Sequence, residues 1–547
     1  MPAFGPRATV LDSFLTEIVS CVQRKNGGGI TDLIQLDFDS LPPDRQKPYA
    51  DLNQELNRLY PSSNDEGLVT RCKTVVSSDE FGTFSTPFSD TTIHYFRYLR
   101  DFTTADDRQK AIKIRQLTSQ CVTALGDSKY GVIMIPIVLS FSRTLATIAT
   151  YLDRNQSHAA NDGISTTSVP SDSAPGKFSF VEDAANVLRD AFIKCLAGSP
   201  GVQRTTRPGP DDKRFGIYLT ANSCLKLLTQ CRRLRNAQQM FSSIDAQSPP
   251  LSYYPAAQRV TFLYYLGRYH FANNHFHRAQ AALQAAYDDC HRDATKHRRL
   301  ILVYLIAANL CLGRFPSSTL LERPEAAEVG ARFLPLCKII QCGDLGRFQQ
   351  YLDLGSESGR WFLRRSILLQ LQNRCEILVW RSLIRATFRA SGFLGEEKKI
   401  PFLRLHYVQH AAAWSVRRLQ PGTTRMGQMQ LIDPEFEGVD EAIRDTGFDI
   451  DSGQYDDEYI GQESQSVLDV NSANSWPAMS EVESVVLSLI QQGLLKGFAL
   501  HTNPRFAIPG SQKAGGPMKA GFPQVWQIIR ANASNVPVPG WVEAQNM

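Results

Sequence analysis

Apolar residues recur every three or four positions over most of this chain, which is the helical period. Leu11, Phe14, Leu15, Ile18 and Val22 mark one stripe, and Ile112, Ile114, Leu117, Cys121 and Leu125 a looser one. Residues 1–153 are therefore expected to be a helical region. The longest apolar run, 132–141, contains Pro136 and is closed by Arg143, so it reads as a buried helix and not as a membrane span. Residues 154–179 are rich in Ser, Asn, Thr and Pro, as expected of a disordered linker. A helix follows at 180–196, then a basic Gly/Pro-rich loop at 198–214. From 215 to 393 the helical period is nearly continuous. Residues 258–272 and 276–290 form a pair joined by Asn273-Asn274-His275, with Gly267 and Ala279 small enough to let the two helices cross closely. The stretch 295–312 ends at Gly313, in the C-cap position. Further helices are expected at 331–342 and 345–352, and one long helix or two at 361–390. Residues 180–393 thus read as a solenoid of tetratricopeptide-like helix pairs.

The last third breaks that rhythm. Residues 400–413 read as helical. Residues 420–476 are acidic, Gly-rich and poor in apolar side chains, an insertion. Residues 480–492 form a helix with Val482, Val485, Val486, Leu489 and Ile490 on one face, stopped by Gly493. Two short apolar runs, 494–500 and 505–508, flank His501-Thr502-Asn503-Pro504 as a β-hairpin. Helices followed by a hairpin predict a winged helix over 394–510, with 511–547 as a surface tail. The fold class expected is mainly α: an α-solenoid followed by a C-terminal winged helix.

Composition changes this picture little, and charge changes it more. Of 547 residues, 43% are hydrophobic and 21% charged, ordinary globular usage. The net charge of +5 conceals a segregation. Residues 200–425 hold 33 basic and 15 acidic side chains, and residues 426–484 hold 1 and 15. A basic middle beside an acidic block points to nucleic acid or an acidic partner for one region only. The eleven cysteines have no CxxC pair and read as buried thiols of a reducing compartment.

Several motifs carry a resemblance. The block Tyr254-Pro255-Ala256-Ala257-Gln258-Arg259-Val260-Thr261 with Tyr264-Tyr265-Leu266-Gly267-Arg268 resembles the PCI family, named for the proteasome lid, the signalosome and a translation initiation factor. So do Lys296-His297-Arg298-Arg299-Leu300, Leu312-Gly313-Arg314-Phe315-Pro316 and Gly493-Leu494-Leu495-Lys496-Gly497-Phe498. The similarity covers roughly 215–508. It points to the branch holding the PCI subunit of the nuclear-pore mRNA-export complex and its fungal signalosome-associated paralogue. The resemblance implies a second PCI-domain scaffold subunit as partner through winged-helix contacts. It also implies a small acidic disordered protein, shared with the proteasome lid, bracing the solenoid, and an RNA or DNA platform in the nucleus at the nuclear pore. Membrane insertion and a cofactor are not expected.

Catalytic chemistry finds little support. His275-Phe276-His277 with Asp288 echoes a deubiquitinase zinc motif, but Ala285 stands where that motif has Ser, and the solenoid needs a continuous helix there. No phosphate loop or nucleophile elbow is present. The chain is expected to be neither an enzyme nor a metal protein. The candidate nucleic-acid contacts are Lys398, Lys399, Arg404, Arg417 and Arg418 around the winged helix, with Lys496 and Arg505 on its hairpin. Protein pairing is the rival use of that surface. Phe498 and Phe506 are expected in the core. Phe522, Trp526 and Trp541 are candidate partner anchors, or else the tail folds back on its own solenoid. The acidic block 433–469 is either a solubilising loop or a mask over the basic surface.

Overall fold

The computed structural model describes residues 9–38, 41–76, 79–162, 179–198, 206–209, 211–230, 234–393, 400–419, 477–533 and 538–543. The chain divides into two compact units, one of residues 1–266 with 537–547, the other of residues 267–536.

The first unit is built from helices that mostly pack on their sequence neighbours. It opens with α1 (Val10–Gln23), α2 (Gly27–Leu33), α3 (Pro43–Leu59) and α4 (Asp65–Val76). Next come α5 (Ser85–Asp101), α6 (Asp107–Leu125), α7 (Met134–Asp162) and α8 (Phe180–Ala197). It ends with α9 (Ile217–Gln230), α10 (Leu234–Gln247) and the first part of α11 (Ala256–Ala272). The α1 stripe is buried as the sequence predicts, at Leu11, Leu15, Ile18 and Val22. Residues 131–153 are long and apolar enough to cross a membrane. Here that segment packs on α2, α6, α8 and α9, and Met134, Ile137, Val138 and Phe141 are buried.

Three sequence expectations are revised in this unit. Helix α7 continues to Asp162, so part of the expected linker 154–179 is helical; residues 163–178 lie outside the described residues. The Asp153 carboxylate accepts from the Ser179 hydroxyl at 2.7 Å and the Phe180 N–H at 3.1 Å, so it seats the N-terminus of α8. The end of the basic loop is packed: Lys213 and Arg214 are buried, Lys213 donating to the Gly126 carbonyl and Arg214 to Asp212. Helices α8 and α9 pack on α7, and α10 packs on α8 and α9, so the compact unit runs to Leu266, beyond the expected boundary near 180.

The second unit contains α12 (Phe276–Asp289), α13 (Thr295–Cys311), α14 (Ser318–Leu321), α15 (Ala327–Cys342), α16 (Leu345–Tyr351), α17 (Glu357–Arg364) and α18 (Leu368–Ser391). The expected close crossing is present. A Cβ on Gly267 would stand 2.5 Å from Leu283 Cγ, so only glycine lets α12 approach there. Helix α13 is apolar on nearly every side and sits between α12, α15 and α18, as a fully surrounded helix must be. Inside it, buried Arg298 meets buried Glu325 at 3.0 Å, and Tyr287 donates to the same carboxylate at 2.7 Å. The segment read as one helix or two is two, with Ser366 at φ +56 between them.

The winged helix continues without a break. Helix α18 packs on α19 (Leu405–Arg417) and α20 (Met479–Gln491), and it touches the sheet of β1 (Phe402–Arg404), β2 (Phe498–Leu500) and β3 (Arg505–Ala507). The sheet order is β1-β3-β2, antiparallel throughout. The expected helix at 400–413 is therefore corrected: β1 comes first. Three residues give too little alternation to reveal a strand, and β1 exists through pairing with β3, a hundred residues away in sequence. The acidic insertion 420–476 lies between α19 and α20, outside the described residues. The tail adds α21 (Pro517–Gly521) and α22 (Val525–Ala531) to this unit.

Candidate interaction surface of the winged helix

The sheet register sorts its side chains by face. Leu403 pairs with Phe506, and Phe506 with Ala499. Leu403 and Phe506 are fully buried, so this row faces the core with Val482, Val486 and Leu489 of α20. Paired residues share a face and neighbours alternate. Phe402, Ala507 and Phe498 therefore form one row on the outer face, and Arg404, Arg505 and Leu500 the next. Phe498 is 42% and Leu500 45% exposed, which corrects the expectation that Phe498 is core. The Arg505 guanidinium lies over the Phe402 ring at 4.7 Å, and that ring is 5.2 Å from Phe393. Arg505 also donates to the Asn503 side chain at 3.0 Å. The outer face thus mixes exposed apolar surface with two arginines.

Helix α20, the one a winged helix can offer to a nucleic-acid groove, has a different character. Its outer positions are Glu481, Ser484, Leu487, Ser488 and Gln491, and Leu487 is 54% exposed. Residues 479–492 include no Lys or Arg. A groove-reading helix without a cation has nothing to neutralise phosphate. Glu483, one turn before Leu487, meets His501 Nδ1 at 2.8 Å and ties the helix to the tip of the hairpin.

The candidate basic residues do not form one cluster. Lys398 and Lys399 lie outside the described residues. Arg404 and Arg505 share the outer sheet face. Lys496 is exposed, and its backbone N–H donates to the Gly521 carbonyl. Arg417 is exposed at the end of α19. Arg418 bonds to the buried Asp344, which also caps α16, and its guanidinium stacks on Trp414 at 4.6 Å. It is a structural clamp, and we correct its assignment as a nucleic-acid contact. His410 on the same helix is pushed below the ordinary imidazole range by burial, with His406 and Arg417 adding to the effect.

Among the tail anchors, Phe522 is corrected. Phe522 is 7% exposed, with its ring 5.7 Å from Phe388 and 6.3 Å from Phe506. Val525 closes over Gly313, where φ is +71 and a Cβ would stand 2.3 Å from Val525 Cγ1. Trp526 is 36% exposed beside Arg314. Trp541 belongs to the first unit, where the Val542 carbonyl accepts from the Leu251 N–H at 2.9 Å. Fold-back is the arrangement observed. Its fastener is Arg381 on α18, which donates to the Leu494 carbonyl at 3.0 Å and to the Pro523 carbonyl. Burial, with Arg385 nearby, brings Arg381 down to about 10.

The zinc-like motif is not assembled. Helix α12 runs unbroken through 276–289, and Asp288 accepts from Gln284 one turn earlier. Among the described residues no group of three or more His, Cys, Asp or Glu side chains is placed to hold a metal ion. Each described cysteine is a free thiol.

No family model matches the sequence. Known proteins do. A PCI domain-containing protein of Schizosaccharomyces pombe is 26% identical over 421 residues, covering 76% of this chain and 76% of that protein. A CSN12 homolog of Neurospora crassa is 33% identical over 225 residues, 40% of this chain and 46% of that protein. PCI domain-containing protein 2 of Xenopus laevis is 27% identical over 208 residues, 38% of this chain and 48% of that protein. The latter two matches span about half the length of each relative.

Proposed function

We propose that this chain, whose sequence and architecture are those of PCI-domain proteins, is a non-catalytic scaffold subunit of a nuclear mRNA-export complex at the nuclear pore. Its partner is a second PCI-domain scaffold subunit, and a small acidic disordered protein braces the solenoid. The observation that carries the reading is the outer face of the winged-helix sheet. Phe498 and Leu500 are large apolar side chains that the register places on the face opposite the core row, where they stay 42% and 45% exposed among the described residues. Apolar anchors with flanking arginines are the composition of a protein interface. RNA or DNA is engaged through phosphate contacts at Lys496, Arg404 and Arg505, beside the hairpin, and not by insertion of α20. Substituting Phe498 and Leu500 by Asp in the tagged endogenous protein is expected to remove the PCI partner from the purified complex while the chain stays folded. Retention of the partner would overturn the assignment of this face.

A second reading places the chain in a signalosome-associated complex, linked to splicing or transcription. The name of the Neurospora crassa relative supports it. The proteins recovered with the endogenous chain distinguish the two: mRNA-export subunits for the first, signalosome subunits for the second.

A further inference from the structure

The second unit holds a half-open cleft of 460 Å³ that the scaffold reading does not use. That volume falls within the 300–1,000 Å³ range of small-ligand sites. Its polar wall is formed by Asn274, His275, His277, Arg278, Arg374 and Asn532. Its apolar wall is formed by Phe276, Ile377, Leu494 and Ile529. Five elements converge here: the start of α12, the end of α13, the middle of α18, the turn after α20, and α22 of the tail. No Asp or Glu lines the cleft, and neither Arg278 nor Arg374 meets a carboxylate among the described residues.

Two like charges on a concave wall with no counter-charge among the described residues repel each other, and a concave site focuses their field. The start of α12 adds to the field. His275 is the N-cap residue, yet its side chain makes no capping bond. The first N–H groups of a helix have no intrahelical partner, and they carry the positive end of its dipole. Phe276, His277 and Arg278 are those first helical residues, and all three line the cleft. The Arg374 guanidinium lies 5.6 Å from the centre of the Phe276 ring, so an anion beside it would also have an aromatic neighbour.

We infer that this cleft binds a small phosphorylated molecule, its phosphate held by Arg278, Arg374 and the start of α12, and its remainder laid on Ile377 and Ile529 of the apolar wall. A nucleotide and an inositol phosphate share the phosphate chemistry; the apolar wall and the side-chain amides favour the nucleotide. This site is independent of the winged-helix face, so its test can fail while the scaffold reading stands.

The full-length protein is titrated at physiological salt with a fluorescent ADP analogue, with inositol hexakisphosphate and with inorganic phosphate. Saturable binding tighter than 1 mM by either organic phosphate is expected, with ADP the stronger and inorganic phosphate the weakest. The double variant Arg278→Gln/Arg374→Gln is expected to weaken it at least tenfold. Asn532→Trp, which fills the cleft and keeps both cations, should do the same. Lys47→Gln/Lys73→Gln, which removes exposed charge from the first unit, should leave it unchanged. Melting curves of each variant report whether it folds. Inositol phosphate binding alone, lost in the same two cleft variants, supports the phosphate site and assigns it the other source. No binding below 1 mM by either compound, or equal loss in the Lys47/Lys73 variant, overturns the inference.

Discussion

Replacing Glu325 by Gln keeps the shape of a buried side chain and removes the one carboxylate bonded to Arg298 among the described residues. Arg298 is 7% exposed, with its other bonds going to the carbonyls of Tyr287 and Cys290. Without Glu325 a buried guanidinium is left uncompensated, which costs about 3–5 kcal/mol. The titration of the carboxylate gives an independent figure. Burial works to raise the Glu325 pKa, but hydrogen bonds, first from Tyr287 and then from the backbone and Arg298, outweigh it and bring it to about 2 from an ordinary 4.5. A carboxyl group depressed in the folded state adds stability above its unfolded pKa and loses it as pH falls through the folded value. At 1.36 kcal/mol per pKa unit this is at most about 3 kcal/mol at pH 7, and about half of that at pH 3. A loss of 3 kcal/mol at pH 7 lowers Tm by roughly 6–12 °C in a domain of this size. Calorimetry of wild type and E325Q at pH 7 and pH 3 tests the argument. The gap should be large at pH 7 and shrink by about half at pH 3. A gap below 2 °C at pH 7, or one that does not change with pH, would refute it.

Phe522→Ala should destabilise the second unit by about 3–5 kcal/mol, read from urea unfolding, because an aromatic wedged between Phe388 and Phe506 leaves a cavity. Truncation after Ile508 should lower Tm for the same reason and also free the Arg381 guanidinium; an unchanged Tm would mean the tail contributes nothing to the fold. Gly267→Ala should cost about 1–3 kcal/mol by overpacking against Leu283, and a neutral result would show that α12 can shift at no cost. If RNA contacts the hairpin, charge reversal at Lys496 and Arg505 should weaken RNA binding by the purified protein and flatten its salt dependence, as measured by filter binding at two ionic strengths.

The helices were legible because their burial repeats with the helical period: the Leu11–Val22 stripe, the Gly267/Ala279 crossing and the stop at Gly313 all stand where the pattern puts them. Strand β1 was not, because three residues have no period to read and a distant partner decides their conformation. The hairpin was legible, but its outward face was missed. Phe498-Ala499-Leu500 alternates so that both large residues share one face, and pairing Ala499 with Phe506 assigns the other face to the core; that register was the available signal. Arg418 and Phe522 were assigned to surfaces because sequence reports residue type and not the buried Asp344 or Phe388 waiting for them. The lack of cations on α20, in contrast, is visible in residues 479–492 before any coordinates.

The division of the chain has a consequence for its biogenesis. The first unit is closed by residues 538–543, where Gly540 donates to Asp245 and Val542 accepts from Leu251. Those residues are made only after the whole second unit. At about 5–20 residues per second, the intervening 270 or so residues take roughly 15–50 s to translate. During that interval Asp245 and the Leu251 N–H have no bond to the segment that later answers them, and the nascent first unit stands incomplete while its successor emerges. A chaperone that holds the early unit has that window in which to act, and a ribosome stalled anywhere inside the second unit leaves the first one open at the same place.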